Sequence, residues 1–99
     1  MNGLELIAIE LKRQIEELGY DYSNDELYAN NQLADAGVCY AMKPEERDQE
    51  NEEGVSLNLA IWPWDEKYWK PTPEDRIKEL TKAGALIAAQ IDWEIANKK

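Results

Sequence analysis

Two blocks of apolar residues, one at each end of the chain, repeat at three- and four-residue steps, a period that only helices bury. In the first block Leu4, Ile7, Ala8, Leu11, Ile15 and Leu18 recur with charged residues between them and Gly19 placed as a stop. In the last block Ile77, Leu80, Ala83, Gly84, Ile87, Ile91 and Ile95 do the same. They follow Thr72-Pro73-Glu74-Asp75, where a cap residue precedes a proline at the first helical position and two carboxylates favour the positive end of the helix dipole. A middle helix is expected from the capping-box spacing Ser23/Glu26, on Leu27, Leu33, Ala34, Val38 and Ala41, to a stop at Lys43-Pro44. The expectation is a mainly all-α single domain over residues 1–99, a three-helix unit with helices near 3–18, 24–42 and 73–97. An acidic loop, 43–54, and an extended aromatic segment, 55–71, separate the second helix from the third.

Gly84 costs up to about 1 kcal/mol relative to alanine inside a helix, so something is expected to approach the backbone closely there. Ala85, Ala88 and Ala89 continue that small-residue surface. It suits either a neighbouring helix of the same chain or a contact between subunits, and a homo-oligomer is expected. In the loop, six carboxylates between Glu45 and Glu53 stand against one arginine, a density that favours a solvated, mobile segment. After Gly54, "VSLNLAIW" alternates apolar and polar residues, which is a strand pattern. With no second strand evident, it would lie extended on the helices or pair with another subunit.

Charge and residue types exclude several functions. The 21 acidic and 11 basic residues give a net charge of −10, which repels phosphate backbones and anionic lipid; no direct nucleic-acid or membrane partner is expected. A basic protein or a bound cation is easier to accommodate. Cys39 is the one cysteine, so there is no internal disulfide. No leader-like stretch occurs, and no apolar run approaches the roughly 20 residues that span a bilayer. The chain therefore reads as cytoplasmic. The absence of histidine removes Ser-His and Cys-His catalysis and histidine metal sites. No glycine-rich phosphate loop is present. Carboxylate-bound magnesium is the remaining route to chemistry, through Glu10 and Glu17 on one face of the first helix with Asp25, Asp35 and Asp92 near them.

The segment "WPWDEKYWKP" places three of the four tryptophans, a tyrosine and two prolines in ten positions of a chain without phenylalanine. Pro63 and Pro71 bracket it and leave little chain entropy to lose. Its rings can close the open end of a small core. They can also stack on a flat ligand such as a nucleobase, worth about 1–3 kcal/mol per base, with Lys67, Lys70 and Arg76 nearby to meet phosphate. A core this small is not expected to hide all of these rings, so at least one of Trp62, Trp64 and Trp69 should be partly exposed.

"ELKRQIEELGYD", "NDELYANNQLADAGVCYAM", "WPWDEKYWKP" and "KAGALIAAQID" together resemble, in order and spacing, a family of small phage and prophage proteins. The resemblance covers about two thirds of the chain. Glu10, Arg13 and Gln14 match a Glu-x-x-Arg-Gln motif; Asn24, Asp25 and Glu26 stand where His-Asp-Asp is expected, without the histidine. Trp62, Pro63, Trp64, Trp69, Lys70 and Pro71 match the aromatic motif, and Lys82, Ala83, Gly84 and Asp92 the last helix. That family is in turn comparable with the MazG-like, all-helical nucleoside triphosphate pyrophosphohydrolases. Those enzymes hold magnesium on helical Glu-x-x-Glu and Glu-x-x-Asp pairs, spacings found here only as Glu50/Glu53 and Glu45/Asp48 in the acidic loop.

The resemblance and the residues imply a non-catalytic phage-type protein that binds a nucleotide-like small molecule, such as a host defence signal. Its expected ligand residues are Arg13, Gln14, Trp62, Trp64, Lys67, Trp69 and Lys70. The first alternative is a magnesium-dependent nucleotide pyrophosphohydrolase with Glu10, Asp25 and Glu26 as metal ligands. The second is an acidic inhibitor that presents its carboxylates to a basic host protein. Only the hydrolase needs a cofactor, magnesium.

Overall fold

The structure, a computed structural model, describes residues 1–16 and 30–98. The expected end of the first helix, the Ser23/Glu26 cap and the candidate metal ligands Asp25 and Glu26 lie outside the described residues. Among the described residues the chain is mainly helical and holds no strand. Its helices are α1 (Gly3–Glu16), α2 (Gln32–Ala41), α3 (Pro44–Arg47), α4 (Leu57–Ile61) and α5 (Arg76–Ala96), with a 3₁₀ turn at Glu66–Tyr68. None is long and apolar enough to cross a membrane.

The helix ends follow local chemistry. At α1 the Asn2 side chain accepts from the Glu5 N–H (2.9 Å) and the Glu5 carboxylate accepts from the Asn2 N–H (3.2 Å), a reciprocal cap. The middle helix is shorter than its periodicity suggests. Asn30 sits in a turn and Asn31 is left-handed (φ 68°), a conformation asparagine tolerates, so α2 starts only at Gln32. Pro44 ends α2 and opens α3, where its missing N–H is no loss. The long helix begins at Arg76 rather than at Pro73, because the Asp75 side chain accepts from the Lys78 N–H (3.1 Å) and takes the capping position from Thr72.

The connection between α2 and α5 differs from expectation in two ways. The acidic segment keeps all six carboxylates exposed, yet its backbone is folded. Asn51 Oδ1 accepts from the N–H groups of Glu53 (2.9 Å) and Val55 (3.0 Å), Gly54 takes φ 78°, and Glu50 bridges Ser56. The strand-like "VSLNLAIW" instead forms α4. Its alternation is too short to separate strand from helix, and burying Asn58 against Arg47 and Trp69 favours the helical turn.

Helix α5 is the middle of a layer, with α1 on one flank and α2 on the other. Each crossing is built on a glycine. A Cβ at Gly84 would stand 2.4 Å from Ile7 Cδ1, and one at Gly37 would stand 3.0 Å from Ile87 Cγ1 and 3.2 Å from the Ala83 carbonyl. The small-residue surface of α5 is thus used within the chain. The core is Leu33, Ala36, Cys39 and Tyr40 of α2, Ala83, Leu86 and Ala89 of α5, and Trp62. The apolar stripe from which the last helix is read is not the buried one: Ile77, Leu80, Ile87, Ile91 and Ile95 are exposed. The buried side carries Glu79, Ala83, Leu86, Ala89 and Gln90.

Candidate ligand site beside the aromatic segment

The aromatic segment folds over α2 and α5 as a ring cluster. Trp62 packs edge-on to Tyr40 (5.7 Å between centroids) and to Trp64 (5.4 Å), and Trp69 lies 4.7 Å from Tyr40 and 5.1 Å from Trp62. The ring N–H groups are also taken up inside it. Trp62 Nε1 donates to the Asp65 carbonyl (3.1 Å). The Asn58 side-chain NH₂ donates to the Arg47 carbonyl (2.8 Å) and to Ser56 Oγ (2.9 Å), which turns its oxygen toward Trp69 Nε1 (3.2 Å). Trp62 is 9% exposed, whereas Trp64 and Trp69 are half-buried. Two of these rings mainly close the core.

A buried ion group anchors the cluster. Glu79 is 0% exposed and Arg47 2%. Glu79 Oε2 accepts from Arg47 Nη2 and from the Thr72 N–H (3.0 Å), and Oε1 accepts from Arg76 Nη1 (3.1 Å). Burial pushes the Glu79 carboxyl up, and the donors from Arg47, Arg76 and Thr72 more than reverse this, leaving it below the usual carboxylate range. The Arg47 guanidinium also lies 5.2 Å from the Trp69 ring centroid. Arg76, expected near a phosphate, is consumed elsewhere: it donates to the carbonyls of Tyr40 (3.0 Å) and Ala41, capping α2. Cys39 is buried with Sγ donating to the Asn58 carbonyl (3.4 Å), and burial together with Asp35 pushes its thiol up to about 11, so it is not a nucleophile.

A second polar group joins α1 to α5. Arg13 forks onto Glu10 through Nε (2.8 Å) and Nη2 (2.9 Å), and the buried Gln14 donates to the same carboxylate (2.8 Å). Burial raises the Glu10 pKa, but the Arg13 and Gln14 hydrogen bonds bring it below its ordinary value. Beside it, the Lys82 amine donates to the Lys70 carbonyl (3.0 Å) and sits 5.4 Å from the Tyr40 ring centroid. Burial lowers the Lys82 pKa, the charges of Lys78 and Arg13 lower it further, and Glu10 and Glu79 oppose them. Lys82 thus bonds the end of the aromatic segment at Lys70 and feels the charges of Glu10 and Arg13 on α1.

Of the expected ligand residues, Arg13 and Gln14 meet on the Glu10 carboxylate, and Lys70 is bonded through its backbone to Lys82 and Tyr40. Trp62 and Trp69 hold the wall behind them through Tyr40. Trp64 stands on the far edge of Trp62, and Lys67 lies apart, 5.1 Å from the exposed Tyr68 ring. Of the three candidate metal ligands only Glu10 is described, and both of its oxygens already accept hydrogen bonds. Among the described residues no group of three or more acidic or cysteine side chains is placed to hold a metal ion. Lys82, Tyr40 and the Arg47–Glu79 pair are absent from the sequence-derived list. Two signals pointed to Lys82: its place in the last-helix motif of the family resemblance, and a lysine on the polar side of an alanine-rich helix. No protein-family model, curated protein or solved structure matches the chain.

Proposed function

We propose that the chain is a non-catalytic binding protein for a small, anionic, nucleotide-like ligand seated where α1, α5 and the end of the aromatic segment meet. The observation that supports this most is that Arg13 and Lys82 both act on a single carboxylate, Glu10, with Lys78 beside Lys82, on a chain of net charge −10. Burial and the charges of Lys78 and Arg13 depress the Lys82 pKa, and an incoming phosphate would offset the repulsion. In this reading Arg13, already forked onto Glu10, would share its guanidinium with a phosphate oxygen, and Lys82 would add a point charge. Trp62 and Trp69 act as the rigid wall. In the phage setting that the family resemblance implies, such a protein would sequester a host nucleotide signal.

The hydrolase reading draws less support. Glu10 is saturated by Arg13 and Gln14, and the Glu-x-x-Glu spacing lies in an exposed loop. The acidic-inhibitor reading draws only on the exposed carboxylates of residues 45–53, which any solvated loop would offer. Calorimetric titration with ATP and with cyclic dinucleotides, with and without magnesium, tests the proposal alongside an assay for released pyrophosphate. Saturable binding that survives magnesium removal, without turnover, is expected. Arg13→Ala and Lys82→Gln should each weaken it by about tenfold, equivalent to about 1.4 kcal/mol. Heat-silent titrations with every anionic probe, or pyrophosphate release, would contradict it.

A further inference from the structure

None of the chain's eight isoleucines is buried, and six are exposed, although isoleucine is among the residues most often found inside proteins. Five exposed aliphatic residues form a single stripe along α5: Ile77 (69%), Leu80, Ile87, Ile91 and Ile95 (67%). At 100° per residue they project opposite Glu79, Lys82 and Leu86, and Glu79 and Lys82 bond the end of the aromatic segment and the residues after it at Thr72 and Lys70. The flanking helices extend the same face. On α1, Leu4 and Ile15 are exposed on the side that continues from the Ile7–Gly84 contact, and on α2 Val38 is exposed. Among the described residues the helix layer is therefore covered on one side by residues 43–75 and bare on the other.

We infer that this bare face is the contact between two copies of the chain, with α5 antiparallel to α5 across a two-fold axis. The stripe is symmetric about its own middle. With the axis between residues 85 and 86, Leu80 meets Ile91 of the second copy, Gly84, with Ile7 laid over it, meets Ile87, and Ile77 falls one residue from Ile95. A two-fold contact needs this self-complementarity, and a contact with an unrelated protein does not. The area also suits a dimer. Ile77 to Ile95 spans about 27 Å, and α1 (about 21 Å long) and α2 (about 15 Å long), packed about 9 Å to either side, bring the face to about 570 Å² in projection. A standard interface takes about 800 Å² of accessible surface from each partner. The inference is independent of the ligand proposal, whose residues lie on the opposite side of α5.

Light scattering across micromolar concentrations tests it on the full chain. The expected mass is twice 11.4 kDa. Ile77→Lys and Ile91→Lys, both at exposed positions, should raise the dissociation constant by at least about tenfold with the helical circular dichroism unchanged. Leu57→Lys, an exposed apolar position on α4, should leave the mass as it is. For the register, a chain carrying both Leu80→Cys and Ile91→Cys should form a disulfide-linked dimer, and neither single variant should. These positions are about 16 Å apart along one helix, so the bridge cannot close within a copy. A monomeric mass at every concentration, or a dimer indifferent to both lysines, overturns the inference. Cross-linking by each single variant overturns the antiparallel register.

Discussion

The two sides of α5 carry apolar surface of different kinds. One side is small: Ala83, Ala85 and Ala89 with a single leucine let α1 and α2 come close, and the remaining space is filled by Trp62, Trp69, Tyr40 and an Arg47–Glu79 pair from distant parts of the chain. The other side is large and branched, and its bulky residues stand exposed. A helix packs tightest through its small residues, so the bulkiest stripe is not necessarily the one turned inward. Bulk left outside is instead available to a partner.

The largest effect should come from breaking the anchor of the covered side. Glu79→Gln leaves Arg47 charged and buried without its counter-ion, which should cost about 3–5 kcal/mol in urea unfolding. A loss below about 1 kcal/mol would mean that the rings alone hold that side. A direct pairing of the two sides comes next: Leu33→Ala, in the core, should cost about 2–5 kcal/mol. Ile77→Ala, measured at concentrations where the chain is monomeric, should stay within about 0.5 kcal/mol. Similar losses for both would erase the distinction between the sides.

Acid should weaken the covered side in a defined direction. Glu79 and Glu10 have folded pKa values below their ordinary ones, so below about pH 4 the unfolded chain takes up protons before the folded chain does. Their stabilisation is present above the unfolded pKa and lost as pH falls through the folded values. Urea midpoints should drop there for the native chain and fall less steeply for Glu79→Gln. The smallest effect sharpens the α1 crossing. Gly84→Ala would gain helix propensity, but its Cβ meets Ile7 at 2.4 Å, and a net loss of about 1 kcal/mol is expected.

What the sequence conveyed divides along the same line. The end helices were legible because their periods are long, and the aromatic segment was legible as a cluster because its rings and prolines are consecutive. The α4 turn was not, since four alternating residues fit either backbone, and the break at Asn30-Asn31 was hidden by apolar spacing that runs through it. The Arg47–Glu79 pair joins residues 32 positions apart, and no local pattern specifies such a contact. The site suffered the same limit. Arg13 and Gln14 could be proposed from a motif, but the place of Lys82 between the charges of α1 and the aromatic end depends on how α1 crosses α5. The periodicity of α5 gave the stripe correctly and its direction wrongly, because period reports a face and not what lies against it.

Hydroxyl-radical footprinting of the native chain over a concentration series, read residue by residue by mass spectrometry, tests the division between the two sides most directly. Trp62 should be protected at every concentration, since its cover comes from its own chain. Ile77, Leu80, Ile91 and Ile95 should be oxidised in dilute solution and become protected together as concentration rises. Stripe residues equally reactive throughout, or a Trp62 as reactive as Ile77, would contradict the account.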